Sequence, residues 1–206
     1  MMRRTSIPTK LTDLWPFPEY EDWDTIFHHP EWHPEGDHSL KAHIEISMAE
    51  ADMLMEYGHS KRYPLSDCDY WYLIKDVVLF HDIGKSATVK LNDVFTEHRK
   101  GRNSFILHEK VGAEIFREKY AHLYSDDHAE VIEFCIREHT NWWNVKRQGK
   151  SAAIANHRGF GLLCWLCWCD KIAADKETEW YERQRHFQTA RMNWEAEMRN
   201  IGTFHK

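Results

Sequence analysis

The sequence lacks a long apolar run, and no window approaches the roughly 20 apolar residues that a membrane-spanning helix requires. Met1-Met2-Arg3-Arg4 is basic, but polar residues and a proline follow it instead of the apolar core of a signal peptide. Cysteine is scarce and odd in number, with five in the chain, which is a poor basis for disulfides. We therefore expect a soluble, cytoplasmic protein with reduced thiols and no membrane partner.

The sequence also lacks an excess of positive charge. It has 27 lysines and arginines against 33 aspartates and glutamates, so its formal net charge is −6. An extended nucleic-acid surface needs basic stripes that displace counterions from phosphates. This balance argues against such a surface and favours a small anionic substrate that is recognised locally.

Strand-like alternation, internal repeats and low-complexity tracts are absent as well, whereas apolar residues recur with helical period. Ser125 has the character of a helix N-cap and Gly58 that of a helix stop. The predicted fold class is therefore all-α, a single helical bundle. Helices are predicted over 40–57, 71–80, 108–120, 125–139 and 160–176.

Proline is confined to one part of the chain. Five of the six prolines lie between Pro8 and Pro34, interleaved with aromatic residues. We predict an irregular N-terminal arm over 1–34 that packs on the domain, a helical domain over 35–176, and a C-terminal helical extension over 177–206. The arm and the spaced aromatic residues of the extension could form a homodimer surface.

A histidine and an aspartate stand side by side at the end of the apolar segment 71–80, in Phe80-His81-Asp82-Ile83-Gly84-Lys85. The long imidazole and the short carboxylate can meet at one cation although their helix positions differ by about 100°. Without a cation, the pair would bury charge unpaired. We expect Gly84 to let the backbone turn and Lys85 to remain beside the ion as a counter-charge for an anionic substrate.

Further ligand candidates occur about one per predicted helix: His43, His108, His139 and Asp170. A lone histidine is more often a surface or hydrogen-bonded core residue than a ligand. Asp170 stands among apolar residues, where a carboxylate is costly unless it binds a cation. Nitrogen and oxygen ligands admit Mn, Fe, Co, Ni or Zn without choosing among them, and the set could hold one or two ions.

The His-Asp-x-Gly-Lys run, with His108, His139 and Asp170 in this order, resembles the HD superfamily of metal-dependent phosphohydrolases. The resemblance implies that His43, His81, Asp82 and Asp170 hold one ion. It implies that His108 and His139 hold a second ion, with Asp82 bridging the two. A metal-activated hydroxide would then attack phosphorus, with Asp82 and Lys85 as the catalytic residues and Lys85 also contacting a phosphate oxygen.

Two segments also resemble the HD domain of bacterial tRNA nucleotidyltransferases and its small stand-alone relatives: His33-Pro34-Glu35-Gly36-Asp37 and His108-Glu109-Lys110-Val111-Gly112-Ala113. The Gly-Ser loop of a nucleotidyltransferase head does not precede either Asp22-Trp23-Asp24 or Asp67-Cys68-Asp69. Nucleotide addition is therefore not implied. The family pattern places its first histidine where Lys41 stands. Either His38 or His43 must therefore serve.

Two basic loops flank the proposed ligands and could bind an anionic substrate through Arg99, Arg102 and Arg147, although solvated loop charge is an equally ordinary interpretation. Trp142 could stack on a base, which would suit a nucleotide, but tryptophans in a helical core are commoner. The predicted function is hydrolysis of a phosphomonoester or phosphodiester of a nucleotide or RNA end. The alternatives are a dinuclear iron oxygenase acting on a polyol or phosphonate, and a non-catalytic module that senses nucleotides.

Overall fold

The protein is described by a computed structural model over residues 39–57, 69–92, 105–140, 153–154 and 156–174, together with Ile26. These residues contain no β-strand, so the predicted all-α class is confirmed for this part of the chain. Two short 3₁₀ helices, Trp71–Leu73 and Ala121–Leu123, precede α2 and α5. The α-helices, in chain order, are α1 (Leu40–Tyr57), α2 (Ile74–Phe80), α3 (Lys85–Asn92), α4 (His108–Lys119), α5 (Asp126–Glu138) and α6 (Phe160–Ala174).

The predicted helices are confirmed, and the structure shows how two of them begin. Ser125 caps α5 as predicted: its side chain accepts a hydrogen bond from the His128 amide at 3.4 Å. Acidic residues in the first turn of α5 complement the positive end of the helix dipole. The segment 71–80 is not one uniform helix, because it starts as a 3₁₀ turn and becomes α-helical at Ile74.

Helix α3 lies between the predicted helices 71–80 and 108–120, where the sequence predicts no helix. Its serine, threonine, valine and asparagine are poor helix formers. The first turn is closed by Thr88, whose amide and hydroxyl both donate to the Gly84 carbonyl at 3.0 Å. The helix packs against α4, so tertiary contact rather than local propensity explains why it forms.

Helix α2 is the centre of the bundle. Its residues Val77, Val78 and Phe80 are fully buried, and the helix packs against α1, α5 and α6. Burying side chains of this size contributes about 1.5–3 kcal/mol each. The prediction of a central helix that leads into the His-Asp pair is therefore confirmed, and the pair is anchored in the middle of the bundle.

Several predictions fall on residues that the structure does not describe: the arm over 1–34 apart from Ile26, the extension over 177–206, and the stop at Gly58. The four cysteines within the described ranges are free thiols. None of the described helices combines the length and the apolar character that crossing a bilayer requires.

Candidate metal centre

One carboxylate occupies the middle of the proposed site. Asp82 Oδ2 lies 3.2 Å from His81 Nε2 and 3.4 Å from His43 Nε2. Its other oxygen, Oδ1, lies 3.3 Å from His108 Nε2 and 3.5 Å from His139 Nε2. The structure thus divides five of the six predicted ligands into two groups of three, His43–His81–Asp82 and Asp82–His108–His139, and Asp82 belongs to both.

The structure describes only one of the two candidates for the first ligand, His38 and His43. His43 lies on α1 and places Nε2 3.3 Å from His81 Nε2. His38 lies outside the described residues. Among the described residues, His43 is therefore the histidine of α1 that can complete the first group.

Asp170 on α6 marks the open side of the cluster. Its Oδ1 lies 3.1 Å from His43 Nε2 and 3.7 Å from His81 Nε2. Its side chain is 29% exposed, whereas those of the four histidines are at most 11% exposed and that of Asp82 is 1% exposed. Solvent therefore reaches the cluster beside Asp170.

Backbone carbonyls orient three of the imidazoles. The Nδ1 atoms of His81, His108 and His139 lie 2.6–2.7 Å from the carbonyl oxygens three residues earlier, those of Val78, Phe105 and Ile136. A carbonyl can only accept, so each Nδ1 carries the hydrogen. In a neutral ring this leaves the lone pair on Nε2, which points into the cluster, as in a metal-ligating histidine.

A cation would stabilise the cluster in this arrangement. His108 Nε2 and His139 Nε2 are 3.2 Å apart, and two neutral imidazoles would direct lone pairs at each other there. Asp82 Oδ1 is buried beside them and receives no well-formed hydrogen bond from the residues that the structure describes. A buried carboxylate oxygen without a donor is costly. The donor set therefore fits divalent metal ions, which would satisfy both features at once.

The electrostatics of the cluster follow from its central carboxylate. Burial disfavours the charged form of Asp82, but the charges of His81 and Lys85 outweigh this and hold its pKa well below the usual range. Burial likewise lowers the pKa of His81, yet the charge of Asp82 and the contact with Asp170 raise that pKa to about 10. Removal from water raises the pKa of Asp170, but hydrogen bonds from His43 and His81 depress it well below normal.

His139 behaves differently from His81. Burial lowers the pKa of His139 below 6.5, so its imidazole is neutral at neutral pH and ready to coordinate. His81 would have to release a proton to do so. Since a metal competes with that proton, its affinity for this group should rise with pH.

Gly84 is required by a close backbone approach. A Cβ on Gly84 would lie 2.1 Å from the His108 carbonyl oxygen and 2.6 Å from the Gly112 amide nitrogen. The chain turns at residues 81–84, as expected, but the Gly84 φ angle is not in the left-handed range, so the close approach and not a left-handed conformation explains this glycine. Its missing side chain lets the start of α3 touch α4, which brings His108 to Asp82.

Lys85 begins α3 and is buried against the cluster. Its Nζ donates to Asp82 Oδ2 at 2.5 Å and lies 5.2 Å from the centroid of the Phe105 ring. The ammonium group is thus beside the ligands, as expected, and its contact with a substrate phosphate stays a prediction. The predicted substrate residues Arg99, Arg102, Arg147 and Trp142 lie outside the described residues.

Sequence reasoning missed Phe105, which contacts both Lys85 and His108. An isolated phenylalanine in a presumed loop carries no signal of this role. It also missed the left-handed Leu107, at φ 66°, which directly precedes His108. Position 107 is neither glycine nor asparagine, the residues that adopt this conformation most readily, so the sequence does not indicate it.

Residues 73–184 match the protein family described as HD domain, which is more than half of the chain. The chain belongs to the HD domain family. HD domains are in general metal-dependent hydrolases that bind divalent ions. Five of the six proposed ligands lie in the matched stretch, whereas His43 precedes it and joins the site only through the fold.

No curated protein is similar enough to this HD domain chain to count as a match. The resemblance to tRNA nucleotidyltransferases is not tested by the family match and stays a prediction.

Proposed function

We propose that this HD domain protein is a phosphohydrolase that cleaves a phosphomonoester or phosphodiester of a nucleotide or RNA end and uses two divalent ions. The observation that carries the proposal is the division of five proposed ligands into two groups that share Asp82, with Asp170 beside the first group. Two ions, when bound, would lower the pKa of bound water and neutralise charge that develops on a phosphoryl group.

The residues of the chain would divide the work as follows. His43, His81, Asp82 and Asp170 would hold one ion, and Asp82, His108 and His139 the other. Backbone carbonyls fix the rings of His81, His108 and His139, so these ligands need little reorganisation when metal binds. The set supplies nitrogen and oxygen donors only, which suits Mn, Fe, Co, Ni or Zn.

Lys85 would contact a non-bridging phosphate oxygen. Its side chain is buried beside Asp82, and an ammonium group in such a position offers a strong, charge-assisted donor to an anion. The substrate would enter beside the partly exposed Asp170, because the other ligands are more deeply buried. The side chains that select a particular nucleotide would come from other segments of the chain, including the proposed contacts Arg99, Arg102, Arg147 and Trp142.

The proposal is tested by hydrolysis assays on metal-loaded protein. We would load the chain separately with Mn, Co, Ni, Zn and Fe and measure turnover of p-nitrophenyl phosphate and bis-p-nitrophenyl phosphate. A panel of nucleoside monophosphates, triphosphates and 2′,3′-cyclic nucleotides would follow. We expect turnover in at least one metal and its loss in Asp82→Asn.

The matched control is Asp126→Asn, the same exchange at an exposed position in the first turn of α5. It should retain the activity of the wild-type protein. If the folded, metal-loaded protein hydrolyses no ester, the proposal is wrong. Oxygen consumption by the iron form with a polyol or phosphonate would point to an oxygenase, and tight nucleotide binding without turnover would indicate a sensing module.

A further inference from the structure

Phe105 contacts two residues of the proposed site, one through its ring and one through its backbone carbonyl. The centroid of its ring lies 5.2 Å from Lys85 Nζ, and its carbonyl accepts the hydrogen of His108 Nδ1 at 2.6 Å. Its ring also meets the His108 ring edge-on, at a centroid distance of 6.3 Å and an interplanar angle of 76°. A single residue thus links the proposed phosphate contact with a proposed metal ligand.

The backbone after Phe105 makes this double contact possible. Leu107 is left-handed at φ 66°, a conformation that branched L residues rarely adopt. Its side chain is about half exposed, so packing of that side chain does not explain the conformation. The turn returns the His108 amide to the Phe105 carbonyl at 3.2 Å and starts α4 there. Phe105 is thereby held beside Lys85 while His108 faces Asp82.

The face of the Phe105 ring is a second partner of the Lys85 ammonium group besides Asp82. A lysine side chain is long and flexible, so one ion pair alone would leave its ammonium group able to pivot. An aromatic face within about 6 Å attracts an ammonium group, and more strongly where water is excluded. Asp82 Oδ2 and the Phe105 ring together would hold the ammonium group and the direction of its hydrogens.

We propose that Phe105 is a positioning residue whose ring sets the Lys85 ammonium group for a substrate phosphate and whose carbonyl fixes the His108 ring. The inference rests on the proposed function, because it assigns to Lys85 a contact with phosphate. The two actions of Phe105 can be separated, since exchanging the side chain removes the ring and leaves the carbonyl in place.

The test measures binding of inorganic phosphate to the Mn²⁺-loaded full chain by calorimetry. Phe105→Leu keeps an apolar side chain but removes the aromatic face, and it should weaken phosphate binding about two- to thirty-fold. Phe105→Tyr keeps the aromatic face and should restore binding to within about two-fold of the wild-type value. Mn²⁺ affinity should not change in either variant, because the carbonyl that supports His108 remains.

The matched control is Phe134→Leu, since Phe134 is also partly buried against the core but stacks on His157 instead of Lys85. It should bind phosphate as the wild-type chain does. A double-mutant cycle with Lys85→Met gives the readout that a merely structural role would not produce. If Phe105 acts through Lys85, adding Phe105→Leu to Lys85→Met should weaken phosphate binding no further.

The outcomes separate this inference from the proposed function. Unchanged phosphate binding in Phe105→Leu, together with weakened binding in Lys85→Met, would overturn the role of Phe105 and leave the role of Lys85 standing. Unchanged binding in Lys85→Met would overturn both. A loss of Mn²⁺ affinity in Phe105→Leu would overturn the inference, because the side chain of Phe105 would then act on the metal ligands and not only on Lys85.

Discussion

Replacing Gly84 with alanine tests how the fold assembles the proposed metal centre. The new Cβ would lie 2.1 Å from the His108 carbonyl oxygen and 2.6 Å from the Gly112 amide nitrogen, where ordinary contacts begin at 3.4 Å. Both neighbours are backbone atoms, so no side-chain rotation relieves the clash. The starts of α3 and α4 would have to separate by about 1 Å, which is a severe case of overpacking.

The expected loss of stability is at the upper end of the usual range for overpacking, about 3 kcal/mol. In a chain of this size that corresponds to a Tm lower by about 6–12 °C. Because the contact between Gly84 and α4 brings His108 to Asp82, the substitution should disturb the group Asp82–His108–His139 more than the group that contains His43. We expect the affinity for one ion to fall about 10- to 100-fold while the other ion remains bound.

Thermal unfolding and a metal titration of the variant measure the two effects separately. The matched control is Gly159→Ala, whose Cβ would meet side-chain atoms of Phe134 and Val131 at 3.1 Å and no proposed ligand. Side chains can give way, so we expect a loss of about 1 kcal/mol or less and unchanged metal binding. Wild-type Tm and wild-type metal affinity in Gly84→Ala would refute the role of this backbone contact.

Two further predictions concern stability and not metal binding. Burial raises the pKa of Asp76 above 3.8, despite the hydrogen bond that it accepts from the Tyr124 hydroxyl at 2.9 Å. The folded state therefore binds this proton more tightly than the unfolded chain does, and stability falls as pH rises through the raised pKa. Asp76→Asn keeps an acceptor for the Tyr124 hydroxyl but removes the charge. Urea denaturation should show that this substitution stabilises the protein more at pH 7 than at pH 4, and the reverse order would contradict the prediction. Leu107→Gly should raise the free energy of unfolding by about 0.5–1 kcal/mol. The free energy gained by removing a left-handed leucine should exceed the cost of the greater entropy that glycine gives the unfolded chain. A lower Tm would contradict the assignment of strain.

The sequence was sufficient to predict the helices that carry the proposed ligands. His81 and Asp82 follow an apolar helix, and Asp170 lies within another. Packing in an apolar core does not explain polar side chains at these positions. The family match and the geometry agree with that interpretation. What the sequence leaves open is the choice between alternatives such as His38 and His43, because their relation to α2 depends on how α1 packs.

Features that depend on the backbone were out of reach of sequence reasoning. The carbonyls of Val78 and Ile136 orient the rings of His81 and His139, but any residue type supplies a carbonyl. Helix α3 owes its existence to contact with α4 and not to its own propensity. The tight approach at Gly84 requires both helices to be placed before it can be recognised.

The central claim is that Asp82 holds two groups of metal ligands together, and metal counting tests it most directly. Purified chain would be dialysed against Mn²⁺, freed of excess metal, and measured by elemental analysis beside Asp82→Asn and His108→Ala. We expect about two ions per wild-type chain, about one in His108→Ala and a loss of both in Asp82→Asn. A folded wild-type chain that retains no ion, or an Asp82→Asn variant that retains both, would contradict it.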